Sequence, residues 1–264
     1  MEFGIKDKIA VVTGSTAGIG FATAVGLAKE GARVAVNGRT SERVEAAAQR
    51  LKEQVPGAEV IEVAADLGTA EGVAKLIELV PDADIVVNNL GIFEPKSFED
   101  IPDEDWSRFF EVNVLSGVRL SRYYLPRMKA KNWGRIIFVS SESAVNIPSE
   151  MIHYGMTKTA QVAVARGLAE TTVGTGVTVN TVLPGPTGSE GVATFVSQLA
   201  QEKGLSEEEM EKEFFAQARP SSLLKRFIEP EEVASLIVYV SSEIAAATNG
   251  AALRVDGGLL RSIL

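Results

Sequence analysis

The chain has 264 residues, 45% of them hydrophobic, and a formal net charge of −9. That length can enclose one sizeable core, and the negative field disfavours nucleic acid and anionic membrane as partners. There is no cysteine and only one histidine, which excludes disulfides, thiolate chemistry and a multi-imidazole metal centre. The apolar run at the N-terminus is too short for a signal peptide, and no later run approaches the roughly 20 residues of a membrane span. A soluble, cytoplasmic protein is expected. Taken in chain order, short β-branched runs alternate with longer segments of helical period. The runs are Ile9–Val12, Arg33–Val36, Val60–Val63, Asp84–Val87, Arg135–Val139, Val177–Val179 and Ala252–Val255. Runs this uniformly apolar read as strands covered on both faces, so the pattern predicts an α/β fold with a doubly wound, seven-stranded parallel sheet and helices on both faces. No linker or repeat interrupts it, and residues 1–264 are expected to form a single domain. Residues 188–219 read as a helical insertion. Within it Val192, Phe195, Val196 and Leu199 share one helical face, and Ser206 with Glu209 forms a capping box.

The stretch TGSTAGIG, Thr13 to Gly20, falls between the first strand and a helix. Its glycines permit positive φ and close approach of backbone to a diphosphate, while the free N–H groups of the helix start face the anion. A tight turn of small residues is the plainer alternative, but the position directly after a strand favours phosphate. Further on, HYGMTK places Tyr154 and Lys158 four residues apart, on one face of a helix. Alone, such a pair is usually a surface contact. A neighbouring ammonium would favour the ionised form of a phenol whose free pKa is about 10, making Tyr154 a usable acid or base. The lone His153 is turned about 100° from Tyr154 on that helix and reads as pocket lining or core.

These motifs, in this order, resemble the short-chain dehydrogenase/reductase family from about residue 5 to the end. Beside the G-x-x-x-G-x-G turn, NNLG (Asn88 to Gly91) resembles the family's N-N-A-G, with Leu90 in place of alanine. Asn113 in NVL matches the family's helix asparagine, and Ser141 stands 13 residues before Tyr154, the family spacing. PGPT (Pro184 to Thr187) resembles the loop over the nicotinamide, and DGG (Asp256 to Gly258) the common C-terminal ending. The resemblance implies a single-domain Rossmann fold and an oxidoreductase moving a hydride between a nicotinamide and a carbonyl or secondary alcohol. Tyr154 would be the general acid/base and Ser141 would stabilise the reacting oxygen. Lys158 would also hold the nicotinamide ribose, and Asn113 would support a water-mediated proton path. It further implies cofactor contacts from Gly14, Ser15, Thr16, Gly18, Ile19, Gly20, Asn89, Gly91, Pro184, Gly185 and Thr187, besides Tyr154 and Lys158. Asp66 and Leu67 would meet the adenine ring, although Asp66 also fits a helix cap.

The end of the second strand, VNGRT, offers Asn37, Gly38, Arg39 and Thr40, with no carboxylate for ribose hydroxyls and an arginine for a 2′-phosphate. NADP(H) is therefore preferred and NAD(H) is the alternative, with Ala17 standing where many NADP-linked relatives carry a cation. Phe195, Phe214, Phe215 and Met210 suggest a partly apolar wall for a small-to-medium substrate. A cationic stretch, Arg127, Lys129, Lys131 and Arg135, resembles the basic neighbourhood of relatives that reduce 3-oxoacyl groups and opens the alternative of a 3-oxoacyl-[acyl-carrier-protein] or acyl-CoA reductase, though such a run is more often a solvated helix end. A dinucleotide sensor without turnover is the non-enzyme alternative. The resemblance implies a homotetramer or homodimer, since the helix after Pro230 and the DGG ending form the contacts of relatives, although a helix buried within the subunit would look the same. No metal site is expected.

Overall fold

Each of the seven apolar runs becomes a strand: β1 Ile9–Val12, β2 Arg33–Gly38, β3 Val60–Ala64, β4 Ile85–Asn88, β5 Gly134–Val139, β6 Val177–Pro184 and β7 Ala252–Val255. The computed structural model describes residues 2–263, apart from the side chains of residues 193–195, 198, 199 and 202. The strands form one parallel sheet in the order β3-β2-β1-β4-β5-β6-β7. The chain reverses its direction of winding between β1 and β4, and this switch point opens a crevice at the C-terminal strand ends.

Alternate residues of each strand feed two separate cores, which is why the runs carry no polar face. Ala10, Val12, Val34, Val36, Ile85, Val87 and Ile137 point to one side. There they meet α1 (Gly18–Lys29), α2 (Ser41–Gln54) and α9 (Pro230–Val240). Val11, Ala35, Val86, Ile136 and Phe138 point to the other, against α3 (Ala70–Leu79), α5 (Ser116–Lys131) and α6 (Ile152–Glu170). A shorter helix, α4 (Asp103–Phe110), precedes α5. Strand β6 runs five residues past its predicted end at Val179, because Asn180 and Thr181 are buried polar residues that break the apolar pattern. The Asn180 amide donates to the Thr248 carbonyl at 2.7 Å and accepts from Ala251 N–H at 3.0 Å, which satisfies it inside the sheet.

The insertion forms two helices, α7 (Glu190–Lys203) and α8 (Glu207–Gln217), the second started by the expected Ser206–Glu209 capping box. Val192, Val196, Ala200 and Met210 form its small core, while the side chains of Phe195 and Leu199 lie outside the described residues. Thr69, rather than Asp66, caps α3. Helix α9 packs its apolar side on α1, so most of that apolar surface is used within the subunit.

The cationic stretch does not form a patch. Arg135 is 2% exposed and its guanidinium donates to the Gly134, Gly176 and Ser242 carbonyls. Lys129 donates to the Thr171 carbonyl, Arg127 folds over the Tyr123 ring, and Lys131 pairs with Asp82. The stretch leads into the first residues of β5, so it lies at the N-terminal strand ends, opposite the crevice. No helix among the described residues is long and apolar enough to cross a membrane, and no group of three or more acids or histidines among them could hold a metal.

Candidate active site

The glycine turn leaves β1 with Gly14 at φ +60 and enters α1 through Gly18 at φ +55, conformations that a side chain would strain. Ala17 caps α1 without any side-chain hydrogen bond, so the first-turn N–H groups remain available for an anion. Gly20 serves packing: a Cβ there would collide with the Gly14 carbonyl and the Asn89 amide. The turn is held from below by two buried side chains. Asn37 Oδ1 accepts from Gly14 N–H at 3.1 Å while its amide donates to Val63 and Ala65. Ser15 corrects the sequence expectation, because its hydroxyl donates to Val12 and accepts from Asn37 N–H, and its own N–H donates to the Asn37 carbonyl. With its hydroxyl and N–H both committed to the fold, Ser15 is a pin rather than a cofactor contact.

A cavity of about 260 Å³ opens above this turn, lined by Gly14, Thr16, Gly38, Arg39, Asp66, Leu67, Asn89 and Gly91. Arg43 also lines it and was not anticipated. Its signal in the sequence was its place one helical turn beyond Arg39. Thr40, expected in the site, instead caps α2 by accepting from Arg43 N–H and is not part of the lining. Asp66 accepts from Gly68 N–H at 3.0 Å. The uncapped helix start and the two guanidinium groups fit the phosphates of a dinucleotide.

Asn89 and Gly91 also line a second cavity, of about 490 Å³, in which Ile19, Ser141, Tyr154, Lys158, Pro184, Gly185 and Thr187 meet. Asn89 donates to the Thr13 and Gly14 carbonyls, tying the end of β4 to the glycine turn. Gly185 is obligatory, since a Cβ would stand 2.8 Å from the Asp256 carbonyl oxygen. On α6, Tyr154 and Lys158 share one face, with the Lys158 Nζ 5.6 Å from the phenol ring centroid. The ammonium donates to the Val139 carbonyl at 3.0 Å. Burial pushes Lys158 down to about 8. Burial pushes Tyr154 up to about 12, with the neighbouring Ser141 hydroxyl working the other way. Desolvation of the phenolate outweighs a partner that lies over the ring and is itself desolvated. Ser141 sits in the turn after β5 and also accepts from Ser143 N–H.

Asn113 lies in a π-helical turn, Glu111–Leu115. It accepts from Ile92 N–H at 2.8 Å and donates to the Ile92 carbonyl and to Thr157, clamping the loop after β4 onto α6. It does not line the cavity. His153 is core: both ring nitrogens lack partners, Phe109 lies 4.1 Å away centroid to centroid, and burial pushes its pKa down.

Five charged residues of the larger cavity were not anticipated, Glu142, Glu150, Lys203, Glu213 and Arg219, and two of them meet at its wall. Glu142 follows Ser141 and is buried, and Arg219, just past α8, donates to it at 3.1 Å and to Glu150 at 3.3 Å. An acid inside a serine tract was visible in VSSES, but nothing in the sequence marked Arg219 as its partner.

The family model for short chain dehydrogenases matches residues 8–200. An uncharacterized oxidoreductase of Bacillus subtilis, YvaG, is 50% identical over 263 residues, covering 100% of both chains. The D-beta-hydroxybutyrate dehydrogenase of Cupriavidus necator is 34% identical, over 96% of this chain and 98% of that protein. Among solved structures, the L-sorbose reductase of Gluconobacter frateurii complexed with NADPH and L-sorbose superposes with a TM-score of 0.94 at 35% identity, covering 100% of both chains.

Proposed function

The chain belongs to the short-chain dehydrogenase family and is an oxidoreductase; from that membership we propose an NADP-linked enzyme that interconverts a carbonyl and a secondary alcohol on a small-to-medium, partly apolar substrate. The observation that carries this reading is the meeting of Ser141, Tyr154 and Lys158 in a cavity that shares Asn89 and Gly91 with the glycine-turn cavity.

When bound, the nicotinamide supplies or accepts the hydride at the substrate carbon. The chain's own residues manage the oxygen. With its phenol pushed up to about 12, Tyr154 is protonated at neutral pH and stands ready to donate as negative charge grows on that oxygen. Ser141, which lines the same cavity as the phenol, offers a second hydrogen bond in the transition state. Lys158, close to Gly91, is placed to hold ribose hydroxyls, and Asn113 fixes the loop that carries Gly91 and Ile92. Arg39 and Arg43 favour a 2′-phosphate, and the NADPH complex of the sorbose reductase supports the same choice. The dispersal of the cationic stretch weighs against the carrier-protein alternative. The intact Ser–Tyr–Lys set argues against a sensor without turnover.

The test is NADPH oxidation over a panel of ketones and aldehydes. Tyr154→Phe should lower kcat by about 10²- to 10⁴-fold with NADPH binding retained. A variant as active as the parent would refute the role given to the phenol.

A further inference from the structure

Glu142 is 3% exposed and lines the larger cavity between Ser141 and Ser143. Its Oε1 accepts from Arg219 Nε at 3.1 Å and from the Ser143 hydroxyl at 3.2 Å. Its Oε2 is buried with no hydrogen-bond donor. A carboxylate oxygen left in that condition is destabilising, and a donor that arrives with a ligand removes the penalty. Resting on the carbonyl-reduction reading above, we propose that Glu142 is a specificity residue that accepts a hydrogen bond from a substrate hydroxyl, and that the substrate is a neutral hydroxylated ketone rather than a keto acid.

Placement supports the first half. Glu142 adjoins Ser141 and lines the same cavity as Tyr154, so the hydroxyl it receives lies close to the reacting carbonyl. The charges of the cavity support the second. Beyond Lys158, the cations among its described residues are Lys203 and Arg219, and each is already engaged. Lys203 binds Glu213 at 2.6 Å, and Arg219 lies between Glu142 and Glu150. A substrate carboxylate would face three acids with no cation of that wall left over, a repulsion strengthened by the low dielectric of the cavity. Phe93, Met151, Met210, Phe214 and Phe227 cover the rest of the wall and suit a carbon skeleton.

Hydroxyacetone and butanone match in size and differ in the hydroxyl or methyl on the carbon next to the carbonyl, and acetoacetate carries a carboxylate at that place, so NADPH oxidation with the three separates the cases. The parent enzyme is expected to prefer hydroxyacetone to butanone in kcat/KM and to turn over acetoacetate slowest. In Glu142→Gln the ratio of hydroxyacetone to butanone should fall by about 10- to 100-fold, the range of a hydrogen bond to a charged group. Glu142→Asp, which withdraws the carboxylate by one methylene, should lower it part of the way. NADPH titration reports whether each variant keeps its fold. Acetoacetate as the best of the three, or a ratio unchanged in both variants, overturns the inference while leaving the reductase reading intact. An enzyme that binds NADPH and reduces no carbonyl overturns both.

Discussion

Lys158 shows how function is set against stability at a single residue. Burial without a carboxylate partner pushes its ammonium from 10.5 down to about 8. The unfolded chain keeps that proton up to the ordinary value, whereas the folded chain gives it up near pH 8. This residue therefore opposes folding fully below pH 8, and its opposition fades as pH rises from 8 to 10.5. A neutral isostere should relieve the opposition. Lys158→Met is expected to raise the ligand-free melting temperature at pH 7 by a few degrees while abolishing turnover, with the gain shrinking toward pH 10. Melting curves across that range check it, and a variant less stable than the parent at pH 7 would show that the bond to the Val139 carbonyl outweighs the burial of charge. Tyr154 carries the opposite sign. Its proton is retained in the fold to about 12, so above the ordinary phenol value of 10.0 it adds a loss of stability as pH rises.

The start of α2 lines the glycine-turn cavity with two guanidinium groups. A helix N-terminus favours acids, yet Arg43 sits in the first turn of α2 and Arg39 just before its cap. An unfavourable placement of this kind is explained if both guanidinium groups face an anion in the cavity they line. Replacing both with alanine should weaken NADPH by about 10- to 100-fold while NADH changes little, as read by fluorescence titration. Equal weakening of the two nucleotides would remove the phosphate from the account. The contrast with α1 is instructive, since its uncapped start with no charged side chain in the first turn suits a diphosphate held by backbone alone. The insertion behaves differently again. Its α7 is joined to the nucleotide end through Arg50, which donates to the Thr16 carbonyl and pairs with Glu190 at 3.6 Å.

For the whole molecule, the sheet ends in an unpaired edge at β7, and beside it α9 leaves Tyr239 exposed with Ile244 just beyond. Uncovered edges and apolar patches of this kind are commonly closed by a symmetric partner. Light scattering should give a dimer or tetramer of the 28.1 kDa chain, and Tyr239→Asp should shift it toward monomer; a monomer in the parent would refute the assembly. The sequence by itself determined the seven strands, the α/β alternation, the glycine turn and the Ser–Tyr–Lys spacing, because each is a local or periodic pattern, whereas the strand order came from the structure. Backbone geometry turns such patterns directly into structure. Only the tertiary structure decided that Ser15 is spent inside the fold, that Arg135 is buried, that the phenol is raised rather than lowered, and that Glu142 meets Arg219 across 77 positions. Burial and pairing depend on what other segments bring to the same place, and no spacing along the chain records that.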